Sequence, residues 1–578
     1  MLIHKIIESA LQAAVKDVLP DADAATVLVR PCPDPNFGDY QTNALMALAK
    51  ERKLNPRQLA TEVLAQLDVA STCETVEIAG AGFLNFRLRP SALEKALTEA
   101  ACGEHLFFQK TANPRTIVVD FSSPNVAKPM HVGHIRSTIL GESLARTLRL
   151  LGHHVITDNH IGDWGTQFGK LLVGWKRHLD PAALRADPIA EMERLYKLIN
   201  AAGEEDPKVL EEARQELVKL QRGDPENLRI WKEMIALSQV QFDTIYARLG
   251  VKFDHTFGES FYNDRLQPLV KELSRKGLAQ KSEGALVAFF EGNPQLSKHP
   301  ALIQKSDGAF NYATTDLATL QYRLETWHPH EIIYVTDARQ QLHFQQLFAI
   351  FRRWYPETAI TLAHVWFGSI LGEDGKPFRT RAGETIKLAD LLDEAETRAF
   401  ALVSTINSEL PESQRREIAR VVGIGALKYA DLLPNRQSDY VFDWQKMLAL
   451  NGNSAPYLQY AYARTRSVFR KAAEQEVEIP SSTELRQLTL TTPEEIKLAK
   501  TLLNFGFSLD RSAEEYRPNF ICNYLYDLAA CFAQLWENCP IIKAEAEQRK
   551  SRLALCDLTG KVLREGLQVL GIEVLEQM

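Results

Sequence analysis

The chain has few cysteines and no long apolar run, and each absence excludes a class of protein. Its 578 residues include seven cysteines, with no C-x-x-C pair and no His/Cys spacing suited to zinc. Reduced thiols are therefore expected, and a zinc site is not. Charged residues interrupt every apolar stretch before the roughly 18 residues of a membrane span, and the N-terminal residues show no signal-peptide layout. These features predict a cytoplasmic protein with no membrane partner.

An excess of basic residues is also missing. Lysine and arginine number 67 against 74 acidic residues, which gives a formal net charge of −7. No DNA partner is expected at this charge, and contact with any nucleic acid would need a local basic surface. The composition, 45% hydrophobic and 24% charged, is that of a globular protein. Its length exceeds what one hydrophobic core usually supports, so several domains are predicted.

Hydrophobic patterns divide the chain into three parts. Residues 1–109 alternate helical and β-like runs, which predicts a small N-terminal α/β domain. Residues 110–388 contain buried β-like runs and a polar helical insertion at about 180–250. The pattern of residues 389–578 is almost wholly helical, which predicts an all-α C-terminal bundle.

The second part opens with a βαβ unit. The run TIVVDF (116–121) predicts a buried strand, followed by the turn SSPN, a helix that Gly152 ends and a strand from Val155. This connection requires a parallel sheet, so the fold class is α/β with a Rossmann-like nucleotide-binding domain. The usual phosphate loops are missing. Asn85 replaces the third glycine of a dinucleotide loop, and Trp175 stands where a Walker loop needs lysine.

Two histidines stand at the junction between that first strand and its helix. In the string HVGH, His131 and His134 would lie where the free N–H groups of a helix start attract anions. Imidazoles there can donate hydrogen bonds to a triphosphate, and a side chain in place of Gly133 would obstruct a nucleotide. The four residues alone are a weak signal, since histidines three apart are common on ordinary helix surfaces.

The longer string PNVAKPMHVGHIRST (124–138) resembles the HIGH signature region of class I aminoacyl-tRNA synthetases, and most closely that of arginyl-tRNA synthetases. Three further segments are similar to that family in the same order, namely NHIGDWGTQFG (159–169), GKPFRTRAGETIKLADLLDEA (375–395) and GIGALKYADL (423–432). The resemblance implies that ATP, with Mg²⁺ on its triphosphate, activates L-arginine, which is then transferred to tRNA(Arg).

The resemblance also implies roles for residues around ATP. The implied ATP contacts are Asn125, His131, Gly133, His134, Gly162 and Asp163. The implied catalytic residues are His131, His134, Lys128, Lys376 and Arg379. KPFRT occupies the place of the family's mobile KMSKS loop, and Arg379 replaces the second lysine, so a planar fork stands where the family has a point charge. The attacking carboxylate is already ionised, so positioning and charge stabilisation should dominate.

Recognition of the substrate guanidinium calls for carboxylates that accept a fork of hydrogen bonds. Asp120 ends the first strand, and Tyr312 and Asp316 are four apart, so they would share one helical face. Helix capping is the alternative role for Asp316. The arginine contacts that the resemblance implies are Asp120, Asn125, His131, Tyr312, Asp316 and Gln340.

Two segments are candidates for tRNA contacts. PYLQYAYARTRSVFRK (456–471) combines rings that can stack on bases with cations that can hold phosphates, and it resembles the family's anticodon-binding region. NFGDYQTNALMALAK (36–50) resembles the family's N-terminal tRNA-contacting domain. The residues expected to contact tRNA are Phe37, Tyr40, Gln41, Asn43, Tyr457, Tyr460, Arg464, Arg466 and Arg470. Core packing is the alternative for the tyrosines, and a monomer is expected.

Two other functions stay open. A class I synthetase for another amino acid would keep HVGH without needing Asp120 and Asp316 as acidic partners. A synthetase-derived RNA-binding scaffold that has lost catalysis would fit the altered KPFRT loop, although His131, His134 and Lys128 argue against it.

Overall fold

The computed structural model describes residues 2–379, 385–479 and 488–578. Part of the predicted segment 375–395, including Thr380 of KPFRT, lies outside the described residues. The chain forms two compact units, Met1–Thr111 with Ala449–Met578, and Ala112–Leu448.

The described residues form short 3-10 helices at Ala24–Thr26, Glu259–Tyr262 and Ala338–Gln340, and the following α-helices and strands. The helices are α1 (Ile3–Val18), α2 (Ala44–Arg52), α3 (Pro56–Gln66), α4 (Pro90–Ala101), α5 (Val132–Leu150), α6 (Gln167–His178), α7 (Pro181–Ala186), α8 (Pro188–Glu205), α9 (Pro207–Gln221), α10 (Pro225–Arg248), α11 (Asn263–Arg275), α12 (Tyr312–Trp327), α13 (Gln341–Trp354), α14 (Leu388–Ile406), α15 (Glu412–Leu432), α16 (Trp444–Met447), α17 (Ala455–Glu474), α18 (Pro493–Leu502), α19 (Phe505–Glu515), α20 (Asn519–Asn538) and α21 (Ala546–Val569). The strands are β1 (Arg30–Pro31), β2 (Tyr40–Thr42), β3 (Cys73–Ala79), β4 (Phe83–Leu88), β5 (Thr116–Phe121), β6 (His154–Asp158), β7 (Gln280–Ser282), β8 (Ala285–Ala288), β9 (Ala301–Gln304), β10 (Glu331–Val335), β11 (Thr361–His364), β12 (Ile370–Leu371) and β13 (Tyr440–Val441).

A four-stranded parallel sheet lies at the centre of the unit Ala112–Leu448. Its strand order is β11-β10-β5-β6, and all neighbouring pairs are parallel. The inner strands β5 and β10 are buried almost throughout, which explains their continuous apolar runs. Because β6 and β10 lie on opposite sides of β5, the strand order reverses between β5 and β10, and ligands bind at such a switch point. The predicted Rossmann-like parallel sheet is confirmed.

Helix α5 packs closely on this sheet and on later helices. A Cβ in place of Gly141 would come within 2.2 Å of the Phe121 ring at the end of β5, so glycine permits the close approach. On the same helix, the buried Arg136 binds the buried Asp431 of α15 at 2.9 Å. α14 and α15 lie in the same unit as this sheet and contact α5.

The rest of that unit surrounds the sheet. Helices α7 to α10 occupy the region of the predicted helical insertion. Strands β7, β8 and β9 form a separate antiparallel sheet, and α12 packs against β9, α11 and α13. In the part of the chain that the structure describes, no helix is long and apolar enough to cross a membrane.

The other unit combines a small sheet with helices. Its antiparallel strands have the order β1-β2-β4-β3, and α17 to α21 form the helical region at the C-terminal end. Gly80 and Gly82 have φ of 50° and 133° and lie in the tight turn between β3 and β4. This glycine pair therefore makes a hairpin rather than a nucleotide loop.

Candidate active site

The segment between β5 and α5 has an unusual backbone conformation. Ser122, Ser123 and Ala127 have φ of 74°, 48° and 62°, a region that residues with a Cβ rarely adopt. Their N–H groups donate at 2.8 to 3.0 Å to the side chains of Ser137, Asn159 and Ser238. The neighbouring elements thus hold the loop in a strained shape, as is common at functional sites.

Backbone hydrogen bonds fix both imidazoles of HVGH. The N–H of Gly133 donates to His131 Nδ1 at 3.0 Å, and the N–H of His131 donates to His134 Nδ1 at 3.0 Å. Because Nδ1 accepts in both rings, each neutral ring carries its proton on Nε2. A Cβ at position 133 would lie 2.9 Å from the His131 ring, so glycine also leaves room for that ring. The start of α5 therefore offers two Nε2–H donors.

Both rings are uncharged at neutral pH. Burial and then the charge of His131 lower the pKa of His134 to about 3. Burial, followed by the positive charges of Arg339 and Lys128, lowers the pKa of His131. The histidines can therefore donate hydrogen bonds to an anion, while its charge would be met by neighbouring cations. Lys128 is exposed, and its Nζ lies 5.2 Å from the centre of the Tyr196 ring.

Ile386 and Lys387 lie beside the start of α5. His131 and Lys387 form an antiparallel β-bridge, and the N–H of Val132 donates to the carbonyl of Ile386 at 2.9 Å. The structure thus brings Ile386 and Lys387, within the family-like segment 375–395, next to HVGH, more than 240 residues away in sequence.

Lys376 and Arg379 lie upstream in that segment, on a small hairpin. The N–H of Lys376 donates to Asp374 Oδ1 at 3.1 Å, and both cationic side chains are exposed. Phe378 between them stacks on Phe442, with ring centres 4.4 Å apart. This stacking packs the hairpin against Phe442, while the side chains of Lys376 and Arg379 are exposed.

Asn125 and Gly162 are neighbours in a parallel β-bridge. A Cβ in place of Gly162 would lie 2.2 Å from Asn125 Oδ1, so glycine is needed for this approach. Asp163 follows, but it is buried, and its carboxylate accepts the N–H and the hydroxyl of Ser260 at 2.8 and 2.5 Å. Both oxygens of Asp163 thus accept a hydrogen bond from Ser260, and the ATP contact of Asp163 stays a prediction from the sequence.

Asp316 on α12 lies between two histidines. His343 Nε2 is 2.6 Å from its Oδ2, and His160 Nε2 is 3.8 Å from its Oδ1. Among the described residues, neither ring nitrogen of His160 has a hydrogen-bond partner. Burial opposes ionisation, but the hydrogen bond and charge of His343 lower the pKa of Asp316. Tyr312, one turn earlier, packs against His343 with ring centres 4.8 Å apart, so it shares the predicted face with Asp316.

Glu259 is a second, half-buried carboxylate near Asp316, and no sequence pattern indicated it. Burial raises its pKa to about 7; the charge of His160 opposes this rise, and the negative charges of Asp316 and Asp163 add to it. Carboxylates that share a site resist ionising together, and a bound cation relieves that repulsion. The pocket of Asp316 and Glu259 is therefore suited to a guanidinium.

Asp120, by contrast, is occupied by an internal arginine. Arg323 on α12 is fully buried, and its Nη2 lies 2.6 Å from Asp120 Oδ2 and 2.7 Å from Asp158 Oδ2. Burial opposes the charge, but Asp120 and Asp158 raise the pKa of Arg323. Asp120 Oδ2 thus already accepts a hydrogen bond from Arg323, and the use of Asp120 as a fork acceptor for a substrate guanidinium stays a prediction from the sequence.

Gln340, a predicted arginine contact, lies after β10. It ends the 3-10 helix Ala338–Gln340 and is exposed. The preceding Arg339 is also exposed and binds Asp337 at 2.8 Å. Because β5 and β10 are parallel neighbours, this loop and the loop that leads to HVGH leave the same edge of the sheet.

The residues predicted to contact tRNA lie in different environments. Phe37 is 61% exposed and Tyr460 is 43% exposed, and the Arg464 guanidinium lies 4.8 Å from the centre of the Tyr460 ring. Tyr40 is buried, and its hydroxyl donates to Asn504 Oδ1 at 3.3 Å. Tyr40 is therefore a packing residue in this structure, and its contact with tRNA stays a prediction from the sequence.

The other predicted tRNA contacts are partly engaged within the protein. Arg466 binds Asp557 at 3.3 Å, and Arg470 donates to the carbonyl of Glu576 at 2.8 Å. Gln41 lies in β2 and is half-buried, Asn43 is exposed before α2, and Tyr457 is half-buried near Tyr526.

Across the described ranges, no group of three or more His, Cys, Asp or Glu side chains could hold a metal ion.

A parallel sheet with an HVGH string at the start of the helix after its first strand defines a class I aminoacyl-tRNA synthetase. The family model described as "tRNA synthetases class I (R), catalytic domain" matches residues 96–444. Two more match, "Arginyl tRNA synthetase N terminal domain" at 2–88 and "DALR anticodon binding domain" at 458–578. The chain belongs to the arginyl-tRNA synthetase family.

Similar proteins agree along the whole chain. The arginine–tRNA ligase of Chromobacterium violaceum is 45% identical over 587 residues, covering all of both chains, and that of Citrobacter koseri is 46% identical over 548 residues, 94% of each. The crystal structure of Plasmodium falciparum arginyl-tRNA synthetase matches with a TM-score of 0.83 at 28% identity, over 100% of this chain and 99% of that one. The Thermus thermophilus enzyme matches with a TM-score of 0.83 at 27% identity over all of both chains. The predicted family and ligase class are confirmed, and neither alternative function gains support.

Proposed function

We propose that this protein joins arginine to tRNA(Arg) at the crevice between β5 and β10, through an arginyl-adenylate. One observation carries the placement. Asn125 of the HVGH loop bridges Gly162, and His160, two residues before Gly162, lies 3.8 Å from Asp316. The segment 160–162 thus connects an anion site at the start of α5 with an acidic pocket suited to a guanidinium.

ATP would bind at the start of α5. The Nε2–H groups of His131 and His134 would donate to the triphosphate, and the helix N-terminus would favour its charge. Lys128, Lys376 and Arg379 would offset the charge that builds up on the leaving pyrophosphate. Mg²⁺ would arrive with ATP and be held largely by phosphate oxygens, the usual arrangement for this ion.

Arginine would bind with its guanidinium between Asp316 and Glu259. Asp316 keeps Oδ1 for the substrate, since His343 engages Oδ2. Tyr312 and Gln340 would border the substrate, and Asn125 lies where the bound arginine would meet ATP. A competitor without a guanidinium would leave these half-buried acids without a matching partner, which disfavours it.

The chemistry then follows from positioning. A carboxylate oxygen of arginine attacks the α-phosphorus of ATP, the bond to the β-phosphate oxygen breaks, and pyrophosphate leaves. A terminal ribose hydroxyl of tRNA next attacks the arginyl carbonyl, the hydroxyl proton passes to the departing phosphate, and AMP leaves with the bonding electron pair.

The unit Met1–Thr111 with Ala449–Met578 would provide tRNA contacts. Phe37, Tyr460 and Arg464 are the best placed of the predicted residues, because their rings and charge are accessible for stacking and phosphate binding. The three-part division at 109 and 388, a cytoplasmic location and a monomeric state stay predictions from the sequence.

ATP–pyrophosphate exchange with arginine and Mg²⁺, with and without tRNA(Arg), tests the proposed function. We expect exchange with arginine and not with lysine, and the resemblance predicts that tRNA is required. Exchange with another amino acid would reassign the substrate. No exchange under any condition would contradict the proposal and favour a non-catalytic RNA-binding protein.

A further inference from the structure

Arg323 is a fully buried arginine that joins three elements next to the proposed arginine pocket. It lies on α12, two turns after Asp316, and its Nη2 contacts Asp120 at the end of β5 and Asp158 at the end of β6. Its guanidinium also lies 5.4 Å from the centre of the Tyr334 ring on β10. One side chain thus fixes α12 against the carboxyl edge of the sheet.

The same network reaches the strained loop. The Ser123 hydroxyl donates to Asp120 Oδ1 at 3.2 Å, and Ser123 has φ of 48°. Two residues later the loop presents Asn125. A chain of contacts therefore runs from α12, which carries Asp316, through Arg323 and Asp120 to the loop that carries Asn125.

Stability alone is a poor explanation for this arrangement. Burying one cation and two carboxylates has a large desolvation cost, and apolar side chains of similar volume often stabilise a core equally well. Among the described residues, Asp158 Oδ1 also has no hydrogen-bond partner. What the ion network does provide is directional contact between elements that carry site residues.

We propose that Arg323 is a positioning residue for arginine activation. It holds Asp316 and the loop that carries Asn125 in fixed relative positions, and it pairs with Asp120 and Asp158. Its guanidinium fills the second cluster of acids at the sheet edge, so the substrate guanidinium is directed to Asp316. This inference rests on the proposed arginine site.

Chemical rescue of Arg323→Ala tests the inference. We expect kcat/KM for arginine to fall about 100-fold, because two buried carboxylates lose their partner, with a larger rise in KM for arginine than for ATP. Millimolar guanidinium chloride should restore activity roughly tenfold, since the ion can occupy the emptied site between Asp120 and Asp158. Urea has the same shape without the charge, and with sodium chloride of equal ionic strength it should restore nothing.

Arg323→Lys is the second variant, because it keeps the charge and is better placed to fold. It should stay well below wild type, since an ammonium cannot reproduce the fork. Arg265→Ala is the matched control. Arg265 binds Glu325, which lies on α12 like Arg323, at 2.8 Å, but this ion pair is at the surface. It should keep wild-type kinetics and show no gain from guanidinium.

The outcomes separate the two ideas. If wild type and Arg265→Ala do not activate arginine, the proposed function fails. If they do, and Arg323→Ala or Arg323→Lys keeps wild-type KM values, the positioning role is overturned. It is also overturned if Arg323→Ala is folded by circular dichroism yet guanidinium rescues no better than urea, or if both variants are unfolded with and without guanidinium.

Discussion

The N–H of His131 donates to Nδ1 of His134 at 3.0 Å, and this bond decides which end of the second ring can meet a substrate. With Nδ1 occupied, the neutral His134 ring presents Nε2–H as its remaining donor. Because its pKa is about 3, this ring stays uncharged throughout the range in which enzymes are usually assayed. His134 would therefore contribute a directed hydrogen bond to ATP and not a positive charge.

The comparison of glutamine and asparagine at position 134 tests this assignment. The amide nitrogen of glutamine can reach the place of Nε2, whereas that of asparagine lies near Nδ1. We expect His134→Ala to lower kcat by about 100-fold or more, and His134→Gln to keep roughly tenfold more activity than His134→Asn. ATP–pyrophosphate exchange measures all three, with His178→Ala, at an exposed position, as the control. Equal losses in the Gln and Asn variants would contradict the Nε2 role.

The acidic pocket should make arginine binding depend on pH. Burial raises the pKa of Glu259 to about 7, so the carboxyl is mostly protonated at pH 6 and mostly ionised at pH 8. Only the ionised form attracts a guanidinium, so binding releases a proton below the pKa and strengthens as pH rises. We expect KM for arginine to fall about tenfold from pH 6 to pH 8.

Glu259→Gln isolates this effect. It should raise KM for arginine at pH 8 and give a KM that changes little with pH, because the titrating group is gone. Glu291→Gln, at an exposed position, serves as the control and should keep the wild-type profile. If Glu259→Gln retained the slope of the wild type, another group would be responsible.

The features of the site that depend on local sequence patterns could be predicted from the sequence. HVGH lies at the start of a helix because a buried strand and an amphipathic helix flank it, and Tyr312 and Asp316 share a face because they are four apart on α12. The parallel sheet followed from the continuous apolar runs of β5 and β10. Each of these inferences needed only neighbours along the chain.

The remaining residues depend on contacts between distant segments. Arg323 pairs with Asp120, which is 203 residues away in the sequence, and no hydrophobic pattern in the sequence indicates this ion pair. Glu259 lies in a short 3-10 helix without a motif, and only its burial beside Asp316 makes it notable. Tyr40 matched a tRNA-contacting segment, but packing against Asn504 placed it inside. Sequence patterns indicate the type of each residue and the face of the helix or strand on which it lies. They do not indicate which charged side chains pair with each other in the folded protein.

Asp316→Asn should affect arginine far more than ATP. The amide keeps the shape of the side chain but removes the charge and one acceptor, so we expect KM for arginine to rise about 100-fold with little change in KM for ATP. Asp307→Asn is a matched control, since Asp307 only accepts the N–H of Ala309 in an exposed turn. Steady-state exchange kinetics with each substrate varied in turn give both constants. Equal rises in the two KM values would remove Asp316 from the arginine pocket.

His4 should make the unit Met1–Thr111 with Ala449–Met578 sensitive to acid. Burial, aided by the charge of Lys5, lowers the pKa of His4 to about 4, whereas the unfolded chain restores the ordinary value near 6.5. Between these values the unfolded state binds more protons, so stability falls as pH falls through 6.5 and continues to fall towards 4. Because proton binding is coupled to unfolding, we expect His4 alone to lower the free energy of unfolding by about 2 kcal/mol from pH 7.5 to pH 5.

The His4→Phe variant removes this titration while keeping a ring of similar volume in the core beside Tyr40. Urea unfolding at pH 7.5 and pH 5, followed by tryptophan fluorescence, gives the free energy of unfolding for both proteins. We expect the wild type to lose about 2 kcal/mol more than His4→Phe between the two pH values, because only the wild type must keep a buried imidazole uncharged. Parallel losses in the two proteins would mean that His4 is protonated, or solvated, in the folded state.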